Sequence, residues 1–399
     1  MFTVLHVDAN DPAAVQQNLQ SALGENPVDL IIATGNIDSI KALSGIAAPA
    51  AFSRNWVGCS SCLGGASSLG LDQSTDKRLT LLTLTDPAGS YGVASVVQQP
   101  GSIQQQAGET VLAAITAAGR PAELPALIWC MQAPGFEEQI IAGIQQVVGA
   151  QVPIFGGSAG DNDVSGQWCL FDGKQVHGQL MVIAVLYPSV PISQYFSSGY
   201  SHLATCGTVT SSAARRIIAI DHQPAATVYN QCRQQAGLLP ISTGNVLGQT
   251  TFNPLGRDIL TDDLTFSVLT HPLEMHHDGS IELLSDIEVG DQLYVMQGSK
   301  MQLVNRAGYV ARVAANMLRL QHDTTPAAAI VIYCAGCMLA VRDEIDQVRQ
   351  SLMSAMPDTP FLMVFTFGEQ GCFADGFNRH GNLMISTVLF GHRQQGPSL

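Results

Sequence analysis

A two-domain α/β fold, with mixed sheets flanked by helices in each domain, is what this 399-residue sequence predicts. Three observations carry the prediction. Short apolar runs rich in β-branched residues alternate with segments of helical period, the pattern of α/β layers. Apolar residues make up 46% of the chain and charged residues only 13%, which goes with large buried layers rather than disorder. The length also exceeds what one hydrophobic core usually holds.

The elements follow in order. LIIATG (30–35), WVGCSS (56–61), LTLLTLT (79–85) and ALIWCMQ (126–132) read as strands. DPAAVQQNLQSALG (11–24) reads as a helix, with an Asp cap, a proline in the first turn and a glycine after the end. GFEEQIIAGIQQVVGA (135–150) repeats Ile140, Ile141, Ile144, Val147 and Val148 at helical spacing. The stretch 167–187 reads as a hairpin turning at Asp172-Gly173. YPSVPIS (187–193) carries two prolines and two serines, and marks the boundary between domains 1–187 and 188–399. Beyond it, helices are expected over 223–235, 301–321 and 338–356, and strands over 328–334 and 361–367.

Charge narrows the partners. The net charge is −14, with no run of Lys or Arg, so phosphate backbones and anionic membrane surfaces gain no electrostatic attraction. No apolar run reaches the roughly 18 residues of a bilayer span. The N-terminus MFTVLHVDAN lacks the basic and apolar regions of a secretory signal. A soluble cytoplasmic protein is the expectation.

Several patterns invite chemistry. In PIFGGSAGD (153–161) a strand runs into a glycine loop. Backbone N–H groups of Gly156, Gly157, Ser158 and Gly160, with the Asp161 carboxylate, could face a ligand; a structural turn fits the same residues. Glu369 sits between glycines in FTFGEQG, where it could bind a ligand amine, act as a base or cap a turn. No second catalytic group accompanies it, and no H-E-x-x-H occurs, so a protein without enzymatic activity is expected. His202 lies in sequence among Tyr195, Phe196 and Tyr200, company that suits an axial haem ligand and equally an ordinary half-buried histidine. Cys59-Ser-Ser-Cys62 and Cys334-Ala-Gly-Cys337 are two C-x-x-C pairs too far apart for a zinc ribbon. They form a thiol or zinc switch only if the fold brings them together.

Taken in order, five segments resemble one family. GGSAGD resembles the glycine-rich motif of FIST proteins, a bacterial sensory family with N- and C-terminal FIST domains. WVGCSSCLGG, GTVTSSAARRIIAIDHQPAATVYNQ, VIYCAGC, and FTFGEQG followed by NRHGNLM resemble its further marks, so the likeness runs from about residue 25 to 390. The sequence departs from the pattern twice. Cys337 stands where an arginine is expected, and Ser61-Cys62-Leu63-Gly64 replaces Thr-Ala-Gly-Glu.

The resemblance implies a cytoplasmic sensor. One stand-alone branch of the family, the NosP-like proteins, binds haem, detects nitric oxide and regulates a histidine kinase or a cyclic-di-GMP enzyme in two-component and biofilm signalling. On that branch haem b would be held by coordination and packing, with His202 as metal ligand and His380 second. In a haem-free sensor of a small metabolite such as an amino acid, GGSAGD, Glu369 and the Asn378–Asn382 segment, with Asn382 as ligand-binding residue, would line one pocket between the domains. Either way the implied partners are a signalling enzyme and a small-molecule ligand, with a homodimer as one assembly.

Overall fold

A computed structural model describes residues 1–24, 26–72, 76–260 and 265–393. Among these the expected alternation of strands and helices becomes four sheets. The first holds Phe2–Asp8, Arg78–Leu84, Leu30–Gly35, Trp56–Ser60, Leu170–Phe171 and Val176–His177, in that lateral order. Leu30–Gly35 and Trp56–Ser60 run parallel, with Ile31 opposite Trp56, and the helix Ile37–Ala42 lies in the connection between them. The helix Pro12–Leu23 starts as expected, because Asp11 Oδ1 accepts the Ala14 N–H at 2.8 Å.

The second and third sheets are built reciprocally. The second runs Asn378–Gly381, Glu369–Cys372, Ile154–Ser158, Leu127–Gln132, Leu180–Tyr187, Ser90–Val97. Its first two strands come from the end of the chain. The third runs Ile192–Ser198, Met384–Gly391, Pro326–Cys334, Phe361–Thr366, Ala66–Ser67, Gly70–Leu71, and its last two strands come from the beginning. Strands therefore cross the 187–193 segment in both directions. The largest core cluster is continuous across both sheets, with Trp129, Phe155, Ile330 and Phe361 fully buried in it. Each such side chain is worth roughly 2–3 kcal/mol in burial. The fourth sheet is antiparallel, nine-stranded, and centred on the long strand Ser201–Ala213.

Two elements differ from expectation. The helix expected over 338–356 is broken into Ala335–Ala340, a turn at Arg342–Glu344 and Ile345–Ala355. The break falls at Val341, a β-branched residue that the turn buries completely. Asp343 and Glu344 then precede the new helix at its positive end, where carboxylates are favoured. The hairpin at Asp172-Gly173 forms, with Phe171 opposite Val176. Its long second arm, however, leaves the first sheet and becomes a strand of the second, between Leu127–Gln132 and Ser90–Val97. Among the described residues no helix is long and apolar enough to cross a membrane.

One glycine carries the second sheet. Gly156 has φ 141°, and a Cβ placed there would lie 1.8 Å from the Cys130 carbonyl oxygen. Gly156→Ala is expected to cost about 4 kcal/mol or more, or to prevent folding. Gly101→Ala, at φ 89° in open space, should cost about 1 kcal/mol. Urea denaturation of both variants checks the contrast; equal losses would mean that the close approach at Gly156 is not what holds the sheet.

Candidate functional site

The GGSAGD run is where backbones meet. Its strand, Ile154–Ser158, lies parallel to Leu127–Gln132 on one side and pairs with Glu369 and Gln370 on the other. A side chain at Gly157 would reach the Gly368 carbonyl at 2.6 Å. Gly160 donates its N–H to the Ser60 carbonyl at 2.9 Å, and its Cα faces Cys62 and Phe365. Gly156, Gly157 and Gly160 are thus spacers between chain segments, rather than a cradle open to a ligand. Asp161 is fully buried and accepts the Gly166 and Gln167 N–H groups at 2.6 and 2.9 Å. It shapes the loop that carries Val164 and Trp168.

The same run spells G-x-S-x-G. In hydrolases with that pattern the serine sits exposed on a strand-to-helix turn. Here Ser158 is fully buried, ends a strand that no helix follows, and donates its hydroxyl to Glu137.

Glu137 opens a charged network that ties three parts of the chain. Glu137 and Glu138 stand in the first turn of the helix Glu137–Val148, the end that favours carboxylates. Arg215 comes from the turn after Ser201–Ala213. Its Nη2 donates to Glu137 Oε2 at 2.6 Å and to Glu138 Oε2 at 2.5 Å, and its Nε to Asp286 Oδ1 at 3.1 Å. His380, on the strand Asn378–Gly381, pairs its Nδ1 with Glu138 Oε1 at 2.7 Å. Its Nε2 is buried without a partner.

The charges set one another's protonation. Burial alone would lift the Glu137 and Glu138 pKa values, but His380 and Arg215 hold both below the usual carboxylate range. Burial would lower His380, and the two carboxylates outweigh it and raise its pKa. Glu137, Glu138 and His380 could by spacing hold a metal ion. Arg215 already bridges the two carboxylates, so the group has its cation.

Beside this network lies a cavity of ≈ 430 Å³. Trp168, Phe252, Phe367 and Leu339 line it, with Cys334 and Gly336 on one wall. Glu137 and Arg215 form its charged edge, and His271 and Asn382 contribute its other polar wall. His271 donates Nε2–H to the Leu247 carbonyl at 2.9 Å, and burial pushes its pKa down to about 4, so the ring is neutral. Asn382 Oδ1 accepts the His271 N–H at 3.1 Å, which fixes the amide and leaves its Nδ2 buried without a partner.

Of the residues expected to bind a ligand or haem, Asn382 lines this cavity, together with Cys334 of the second C-x-x-C pair. Glu369 is fully buried behind the wall, where its carboxyl accepts from Thr366 Oγ1 at 2.9 Å and from the Met384 N–H at 3.1 Å. Burial and the neighbouring Cys334 thiol push its pKa well up, so it is a neutral structural acid rather than a base or a ligand carboxylate. His202 is corrected too. It is exposed, pairs with Asp258 at 2.9 Å and stacks on Tyr294 at 4.3 Å. Tyr195 and Phe196 belong to a strand of the third sheet, whereas His202 belongs to the fourth, so sequence neighbours are not its surroundings. His380 is buried but outside the cavity wall, closed off by Gly368 and Glu137.

Glu137, Arg215, Trp168 and His271 were missed by sequence reasoning. The signal for two of them was present, since Arg215 falls inside the GTVTSSAARR segment and Glu137 in the helix start GFEE. Arg215 places a guanidinium at the cavity edge.

All nine cysteines are free and buried. Burial lifts Cys59 and Cys62 to about 12 and Cys334 well above its usual value, so none of the three is a ready thiolate. Cys334 adds to the rise at Cys62, so the fold does bring the two C-x-x-C pairs near each other. Among the described residues they do not form a set of convergent metal ligands.

Comparison with known proteins gives a family. A model described as FIST N domain matches residues 29–223, and one described as FIST C domain matches residues 225–372. A search of curated proteins finds no match. Among solved structures, the cyanuric acid hydrolase from A. caulinodans is similar over 97% of this chain and 98% of its own, at 9% identity and a TM-score of 0.38. Another cyanuric acid hydrolase structure is similar over 98% and 99%, at 7% identity and a TM-score of 0.36. T. maritima PurL complexed with ATP is similar over 76% and 71%, at 11% identity and a TM-score of 0.23.

The charge network makes two predictions. Because His380 has a raised folded-state pKa, its stabilising contribution is complete below the ordinary imidazole value of about 6.5. It is lost as pH rises through the raised value. The stability difference between wild type and His380→Gln should therefore shrink as pH rises above about 6.5, measured as urea midpoints across pH; a constant difference would refute the assignment. Arg215→Met should cost about 3–5 kcal/mol, because it strips the guanidinium from Glu137, Glu138 and Asp286 and leaves His380 as the one remaining partner cation of the group, with the double variant Arg215→Met/Glu138→Gln recovering part of it.

Proposed function

The chain belongs to the FIST family, a sensory signalling family that binds small ligands, and we propose that this member senses a small, mainly apolar, uncharged molecule in the ≈ 430 Å³ cavity. One observation carries the reading. The apolar wall of the cavity is interrupted on one side by Glu137 and Arg215, the centre of the charged network. A ligand there touches the groups that join the helix Glu137–Val148 to the fourth sheet. Its polar end would be a hydrogen-bond acceptor, since Asn382 Nδ2 is a buried donor with nothing to donate to. A carboxylate ligand is disfavoured, because Arg215 is already matched by three carboxylates. Signalling would pass to a partner protein; a histidine kinase or a cyclic-di-GMP enzyme is the kind that the sequence resemblance implies.

Haem and nitric oxide rest on that resemblance, and the histidines do not fit haem. His202 is exposed and acid-paired. The free Nε2 of His380 has no room beside it, because even a Cβ at Gly368 would lie 2.6 Å away. His271, the imidazole of the cavity wall, spends its Nε2 on Leu247. The haem-free reading is therefore the one we adopt.

Two measurements test it. In a thermal-shift screen, neutral aromatic amides and ketones at about 100 times Kd should stabilise the protein by about 2.7 kcal/mol. Ala340→Trp, which fills the cavity, should abolish the shift; stabilisation that survives it would place the ligand elsewhere. Haem titration should give no saturable, shifted Soret band beyond that of free haem. A band that His271→Ala removes would overturn the haem-free reading.

A further inference from the structure

A second cleft shares no lining residue with the sensing cavity, although Tyr200 of its wall donates its hydroxyl to the carbonyl of Thr251 on the cavity wall at 2.8 Å. It has a volume of ≈ 340 Å³ and sits between the start of the helix Lys300–His322 and the turn joining Ile192–Ser198 to Ser201–Ala213. Arg306 is its centre. The guanidinium donates through Nη2 to Ser197 Oγ, and its Cζ lies 4.5 Å over the Tyr309 ring. Its Nε is buried and has no partner.

This arginine, like the buried Arg233, lacks the carboxylate that several other half-buried arginines have. Arg215, Arg257, Arg349 and Arg379 each meet a carboxylate. Among the described residues no carboxylate forms an ion pair with Arg306, and burial lowers its pKa. Withdrawing a cation from water without a counter-charge is costly, and this happens in a chain of net charge −14, where a carboxylate would be easy to supply. The rest of the wall offers donors rather than acids: the Ser198 and Ser201 hydroxyls and the Gln302 and Asn305 amides. Gly199 keeps the wall close, since even a Cβ there would lie 3.4 Å from the Arg306 stem.

We propose that the Arg306 cleft is a binding site for a small oxyanion, a phosphate or carboxylate group, which supplies the missing counter-charge. A planar guanidinium fork matches both kinds of group. The unpartnered Nε and the nearby hydroxyls and amides would complete the donor set, and the Tyr309 ring covers one side of the fork.

The test is calorimetric titration of the full chain with inorganic phosphate and, separately, with acetate, both at fixed ionic strength. Saturable binding of either anion is expected. Arg306→Met should weaken it by about tenfold or more, and Arg306→Lys, which keeps the charge without the fork, should lie between. Without anion, Arg306→Met should be at least as stable as wild type, because it removes an uncompensated charge. Absence of binding by both anions, or binding that Arg306→Met leaves unchanged, overturns the proposal. If Arg306→Met is unfolded, Arg306→Lys decides alone: unchanged affinity overturns the proposal and weakened affinity supports it. A ligand shift at the sensing cavity that Arg306→Met leaves intact keeps the two sites distinct.

Discussion

The strand Ile154–Ser158 has to lie between two others, and everything near the site depends on its doing so. On one side is the Cys130 strand; on the other is Glu369–Cys372, which the chain reaches only some 210 residues later. Side chains at Gly156 and Gly157 would occupy the space of the Cys130 and Gly368 carbonyls. Bare backbone is thus the condition for the last part of the chain to enter the second sheet. Once it enters, the hairpin partner Asn378–Gly381 follows, and His380 arrives beside the start of the helix Glu137–Val148. The reciprocal entry of Ala66–Ser67 into the third sheet closes the exchange. An interlocked pair of sheets cannot separate without losing backbone pairing on both sides, so motion has to be small.

The charged network gains its character from that rigidity. Two carboxylates, a guanidinium and an imidazolium are held out of water within hydrogen-bond distance. A buried ion pair is weak support for stability, because desolvation offsets much of the Coulomb attraction. Removing one member is another matter, since it strands its partners. Such a network is a poor glue and a sensitive joint. It specifies which parts of the chain must meet and penalises every arrangement in which they do not.

The α/β alternation was legible because β-branched runs and capped helices are local signals. Asp11 caps its helix through a side-chain oxygen, as the sequence around it suggests. The unusual character of GGSAGD was legible too, but not its role, since glycines that admit a ligand and glycines that admit another strand look alike in sequence. His202 was misread for a related reason. Tyr195 and Phe196 are near it in the chain and belong to another sheet. The joint itself could not be read. Glu137 and Arg215 are 78 positions apart, and Glu138 and His380 are 242; no periodicity links residues over such spans. Glu369 stood out as a lone acid among glycines. Its neutrality comes from complete burial, which only the folded structure imposes.

An apolar cavity beside a charged joint lets an uncharged ligand act on charges. On the reading proposed here, the molecule that enters displaces water from one side of Glu137 and Arg215. The local dielectric falls, so the attraction between the pair strengthens and the cost of separating them rises. The desolvation penalty on each charge rises as well. The balance between these opposing terms decides whether the helix Glu137–Val148 and the Arg215 turn are drawn together or eased apart. His380 enters the same balance, because its proton is held by the two carboxylates that Arg215 shares. Ligand occupancy and imidazole protonation would therefore be linked, and a ligand that tightens the Arg215 clasp would compete with His380 for the negative charge of Glu138. A sensor of this construction needs no charged ligand and no large movement. It needs a cavity whose filling changes the surroundings of one ion pair, and a fold stiff enough that the change is not absorbed locally.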